Sequence, residues 1–109
     1  MESKLGWERG PGATPPVLTE KEVALFREIA TLYSGFVVLF RSGDFYVLVT
    51  LHAELAKRLC SIPLEMQQGI TVAFVPRAMV FTVVRKFVQT GYFVALCSPA
   101  LGPSEDLFS

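Results

Sequence analysis

Apolar and polar positions fall in blocks along this chain, and the period changes from block to block. Val23, Phe26, Ala30 and Tyr33 recur at helical spacing, with Leu25, Ile29 and Leu32 beside them. Thr19-Glu20-Lys21-Glu22 stands just before. A Thr followed three residues later by Glu is a capping box, so a helix is predicted to start there, and Ser34-Gly35 to end it. Two β-prone runs follow, Phe36-Val37-Val38-Leu39-Phe40 and Phe45-Tyr46-Val47-Leu48-Val49. Between them lies a short polar stretch with Ser42, Gly43 and Asp44. Gly takes positive φ and Asp bonds its own backbone, so the pair reads as a β-hairpin.

Thr50 is placed to cap a second helix with Leu51, Leu55, Ala56 and Leu59 as its inner stripe. Lys57 and Arg58 fall in its last turn, where cations suit the helix dipole. Ser61 to Leu64 reads as a short edge strand, since it holds Pro63, and Glu65 to Gly69 as a polar loop. Ile70 to Val75 is a near-continuous apolar run, the pattern of a buried strand. Pro76 opens a third helix. The β-branched residues between Arg77 and Gln89 would argue for a strand. Apolar pairs at Met79/Val80, Val83/Val84 and Phe87/Val88 recur every four residues and decide for a helix. Thr90-Gly91 closes it, and Tyr92 to Cys97 is a last buried strand. The expected fold is α/β (α+β): a small mixed β-sheet with a central hairpin, flanked by about three helices. The domain is expected over 19–97. A Gly- and Pro-rich flexible arm over 1–18, with Trp7 folded onto the domain surface, precedes it, and a flexible acidic tail over 98–109 follows.

At 109 residues the chain fits one domain. An apolar share of 51% and a mean hydropathy of +0.45 are high for this length. Either few elements wall the core, or an apolar surface is kept for a protein partner or a second copy. No run approaches the roughly 18–20 apolar residues of a spanning helix, and Met1 to Trp7 lacks a signal-peptide core. A cytoplasmic location without a membrane partner is therefore expected. Cys60 and Cys97 lie in apolar runs and read as reduced core thiols, without ligands at metal spacing. The formal net charge is zero, whereas a dedicated DNA binder usually shows a basic face. Acids near the ends leave the body slightly basic. His52 stands alone near a helix start and is expected to be structural or at the surface. Asp44 and Glu54 do not form a pair. With no nucleophile, metal or cofactor signature, no enzyme activity is expected.

Taken in order, the chain shows a helix, Leu39-Phe40-Arg41-Ser42-Gly43-Asp44-Phe45-Tyr46, the helix with Ala56 to Leu59, Ala73-Phe74-Val75-Pro76, a helix, and Gln89-Thr90-Gly91-Tyr92-Phe93-Val94-Ala95-Leu96-Cys97. This order resembles domain I, the N-terminal mismatch-recognition domain, of the MutS family of DNA mismatch repair proteins. The resemblance implies a small mixed sheet flanked by helices. It also implies a Phe-x-Glu motif that enters the minor groove, where the Phe wedges beside a mispaired base and the Glu bonds it. An apolar wedge exchanges stacking for a kink, and mispaired steps unstack most cheaply. Phe45 matches the wedge, but Val47 stands at the Glu position. Phe74 occupies a Gly position, Arg77-Ala78 a Tyr-His position, and Ser98-Pro99 a Glu-Gln position. The chain has no phosphate-binding Gly-x-x-x-x-Gly-Lys-Ser/Thr loop.

Two functional expectations follow. The first is a stand-alone, non-catalytic module without cofactors, accessory to DNA repair or replication. It would bind double-stranded DNA weakly and with little mismatch preference. Phe45 is its candidate wedge, and Arg41, Arg77, Arg85 and Lys86 are its candidate phosphate contacts. The competing reading packs Phe45 and Val47 in a core or interface and leaves the cations as solvated surface. The second is a protein-interaction or self-assembly module that kept the fold and lost DNA recognition, with Val47 and Phe74 as candidate partner contacts. The tail Ser104-Glu105-Asp106-Leu107-Phe108 also loosely resembles the bacterial sliding-clamp peptide, which makes Leu107 and Phe108 candidate anchors.

Overall fold

The computed structural model describes residues 15–98 and the backbone of residues 105–108. Along the chain lie α1 (Glu20–Leu32), β1 (Phe36–Ser42), β2 (Phe45–Val49), α2 (Leu51–Cys60), β3 (Glu65–Gln67) and β4 (Ile70–Pro76). A 3-10 turn (Arg77–Met79), α3 (Val80–Thr90), β5 (Phe93–Cys97) and β6 (Glu105–Phe108) complete the order. The strands form one sheet, β3-β4-β2-β1-β5-β6. Only β1 and β5 pair in parallel; the other neighbours are antiparallel, so the sheet is mixed as expected. The chain leaves β4 through α3 and returns as β5 on the far side of the central hairpin, the connection that strands running the same way require.

Alternation along each strand sorts the apolar side chains into two cores. Val37, Leu39, Leu48, Ala73, Val75, Val94 and Leu96 meet α2 and α3 on one face. Val38, Phe40, Phe45, Val47, Val49, Val72, Phe74, Ala95 and Cys97 meet Leu18 and the α1 residues Val23 and Phe26 on the other. Cover on both faces explains why the central strands read as unbroken apolar runs.

Local chemistry sets the element ends. The Thr19 hydroxyl accepts from the Glu22 N–H at 3.0 Å and the Glu22 carboxylate from the Thr19 N–H at 2.9 Å, so the capping box forms. Ser42 pairs with Phe45 around Gly43-Asp44, and Gly43 at φ 63 supplies the positive angle of a primed two-residue turn. The helical reading of α3 holds despite its β-branched residues, with Gly91 at φ 104 as its C-cap.

Several expectations are corrected. The edge strand is Glu65–Gln67, and Ser61–Leu64 is not a strand. Ser61 turns left-handed as the α2 C-cap and Ile62 is fully buried. Gln68 and Gly69, both at positive φ, then reverse the chain into β4. Thr50 occupies the N-cap position of α2, but its hydroxyl donates to the Val49 carbonyl at 2.7 Å and makes no cap. Leu18, expected in the arm, belongs to the packed domain. Leu18 is fully buried, its N–H donates to Gln67 Oε1 at 2.7 Å, and Gln68 Nε2 donates to its carbonyl at 3.0 Å. Residues 1–14, with Trp7, lie outside the described residues. In place of a wholly flexible tail over 98–109, Glu105–Phe108 pairs with β5 as an edge strand. Among the described residues no helix is long and apolar enough to cross a membrane.

His52 is structural. The β1–β2 pairing spans Ser42↔Phe45 to Phe40↔Val47. Beyond it, the N–H of fully buried Val38 donates to His52 Nδ1 at 3.3 Å. Burial lowers the imidazole pKa from 6.5, because the charged form loses solvation. The neutral form is therefore favoured in the fold. Its stabilising contribution is complete above pH 6.5 and is lost as pH falls through the lowered folded value. Urea unfolding should show a midpoint that declines from pH 7 toward pH 5, a decline that is shallower in His52→Ala. At pH 7 that variant should lose about 1–3 kcal/mol, since it leaves a buried N–H unpaired. Thr50, at φ 55 and ψ −123, is a β-branched residue in a region suited to Gly. Thr50→Gly should raise the unfolding midpoint by an amount equivalent to about 1 kcal/mol, with an unchanged denaturant slope.

Candidate nucleic-acid interface

The β1–β2 turn and the start of the β4–α3 crossover meet at one end of the sheet. Phe45 lies in register between Ser42 and Pro76, and Tyr46 between Arg41 and Val75. The Arg77 N–H donates to the Asp44 carbonyl at 2.9 Å, which ties the 3-10 turn to the hairpin. Arg41 Nε donates to the Gly43 carbonyl at 3.2 Å. Two of the expected phosphate contacts are thereby brought to the hairpin end, Arg41 half-buried and Arg77 exposed.

The wedge position is different. Phe45 is only 5% exposed, and its ring meets Phe74 edge to face with centroids 6.1 Å apart. Val47 is fully buried between Phe40 and Phe74 in the ladder. Behind them Phe26 of α1 stacks on Phe40 at 4.5 Å, with the ring planes 15° apart. The expectation of Phe45 as an exposed wedge meets a packed ring, and Val47 and Phe74 as partner contacts meet a closed core. These three residues are brought together, but facing inward. Alternation already placed Phe45, Val47 and Val49 on one face; what it lacked was the helix lying over that face.

Arg85 and Lys86 are exposed and lie on α3, away from the hairpin. Lys86 acts on Cys60, at the end of α2: burial pushes this thiol's pKa up and the nearby ammonium partly offsets it. Leu107 and Phe108 stand opposite Ala95 and Val94 in the β5–β6 ladder, and their side chains lie outside the described residues. Lys57 and Arg58, read from sequence only as dipole partners, are exposed on the same helical layer as Arg85 and Lys86. The local cation excess of residues 51–90 was the signal for them. Among the described residues no cluster of His, Cys, Asp or Glu is arranged to hold a metal ion.

The family model for MutS domain I matches residues 22–106. The chain belongs to the MutS domain I family. The DNA mismatch repair protein MutS of Pseudothermotoga lettingae is 34% identical over 79 residues, which are 72% of this chain and 10% of that protein. MutS of Thermotoga maritima is 31% identical over 80 residues, 73% of this chain and 10% of that protein. MutS 2 of Halobacterium salinarum is 30% identical over 109 residues, 96% of this chain and 12% of that protein. The chain thus spans about a tenth of the length of these curated relatives.

Within this MutS domain I fold, the inward packing of the wedge positions has a direct mutational consequence. Phe45→Ala should cost about 3–5 kcal/mol of stability, as emptying a packed aromatic site does. Val47→Glu should cost a comparable amount, about 3–5 kcal/mol, since no buried charge or polar side chain in this core can pair with a carboxylate. Urea unfolding of both variants checks this; a midpoint unchanged by either would place that residue outside the core.

Proposed function

We propose that the chain is a non-catalytic DNA-contacting module, accessory to DNA repair or replication, that holds duplex DNA through its charged surface and does not read mismatches. Membership of the MutS domain I family supports the DNA part, as do relatives named as DNA mismatch repair proteins. The observation that carries the rest is the burial of Phe45 and Val47. A wedge has to stand clear of its own protein before it can unstack a base step. Here Phe45 would first have to leave Phe74, and no carboxylate follows it to bond the base. What remains is contact with phosphate, which is indifferent to sequence and to pairing.

A second reading, a protein-interaction or self-assembly module, draws on exposed apolar side chains. Phe81 is 60% and Phe93 52% exposed.

Fluorescence anisotropy with matched and singly mismatched duplexes at low salt tests the proposal. Dissociation constants of about 10⁻⁶ M or weaker are expected, with the two duplexes within about twofold of one another and strong weakening on added salt. A clear preference for the mismatch would overturn the loss of reading. No binding to either duplex would overturn the DNA reading. Concentration-dependent sedimentation would then favour self-assembly.

A further inference from the structure

The zero net charge conceals a division between the two sides of the sheet. The layer made by α2, the 3-10 turn and α3 carries Lys57, Arg58, Arg77, Arg85 and Lys86 against one carboxylate, Glu54. On the other side, α1 carries Glu20, Glu22 and Glu28 with Lys21 and Arg27. All five cations of the first layer are exposed, and among the described residues none is held in an ion pair.

Their placement follows from the packing. α2 and α3 lie against each other, with Ala53, Ala56 and Cys60 sharing a core with Val80, Val83, Val84 and Phe87. Lys57 precedes Cys60 by three residues and so stands on the same flank of α2. Lys86 is close enough to Cys60 to act on its thiol. Lys57 and Lys86 therefore border one seam between the helices. Arg58 is carried on the outer surface of α2 and Arg85 on that of α3, while Arg77 sits where the chain leaves β4.

We infer that the exposed α2–α3 face is a phosphate-contacting surface for duplex DNA, so that DNA meets the protein on the side of the sheet opposite α1 and the Phe45–Phe74 core. The inference rests on the DNA reading above and names its surface. Each helix is about 15 Å long, and duplex DNA presents a phosphate on each strand about every 3.4 Å of rise. Several cations can thus engage one backbone together. Single-strand binders interleave cations with stacking rings. Among the exposed residues of α2 and α3 the one aromatic is Phe81, so the face suits a backbone better than unstacked bases.

The test compares two double variants of the full chain with the wild type, using a matched duplex and a single-stranded oligonucleotide of equal length. Lys57→Gln/Lys86→Gln should weaken duplex binding about tenfold at low salt and reduce the slope of log affinity against log salt by about 2. Lys21→Gln/Arg27→Gln, on α1, should bind as the wild type does. All four positions are exposed, and an unchanged urea midpoint verifies that each variant is folded. Wild-type affinity in the first variant, an equal loss in the second, or tighter binding of the single strand would overturn the surface assignment while leaving DNA binding itself in place. If the wild type binds neither DNA, the DNA reading fails and the surface assignment falls with it.

Discussion

From β2, Phe45, Val47 and Val49 enter the core beneath α1, while Leu48 and Tyr46 pack toward the core beneath α2 and α3. The strand is thus committed on both sides. Its neighbours β1 and β4 are likewise covered on both faces. A side chain in such a strand has one place to go, because interiors pack as densely as organic crystals and leave no spare volume. To reach a base pair, a residue that anchors this core would first have to leave it.

That constraint connects fold to function. The hairpin Gly43-Asp44-Phe45-Tyr46 lies within the residues that match the family, and its backbone is held by the Arg77 and Arg41 hydrogen bonds to Asp44 and Gly43. Val47 suits this core because it brings no charge into it. Phe74 suits it because its ring gives Phe45 an edge-to-face partner, a geometry that adds to simple burial. Val47 on β2 and Phe74 on β4 are therefore one arrangement: both fill the same core as Phe45. Most of the exposed cations lie on the helical layer away from α1.

Much of this was legible before the structure. Thr19 and Glu22 announced the start of α1, Gly43 the hairpin turn, and the four-residue recurrence of Val80, Val84 and Val88 the helix that β-branched residues would have hidden. Other features depended on partners distant in sequence. Leu18 looked like the end of a loose arm because its hydrogen-bond partners, Gln67 and Gln68, lie some fifty residues on. The strand Glu65–Gln67 is three residues long with no alternation to read, and its signal was the Gln68-Gly69 turn that follows. Glu105–Phe108 carries acids that suit solvent, yet an edge strand can be held by its backbone. The orientation of Phe45 was the least legible of all. Both faces of β2 are apolar, and no pattern within the strand says which one is covered.

Fluorinated phenylalanine at position 45, observed by fluorine NMR, measures that orientation directly. With Phe45 packed on Phe74, the resonance should not shift between light and heavy water and should stay in place when duplex DNA is added, matched or mismatched. A solvent isotope shift in the free protein, with displacement of the signal on binding a mismatched duplex, would contradict that packing, because Phe45 would then be an exposed wedge.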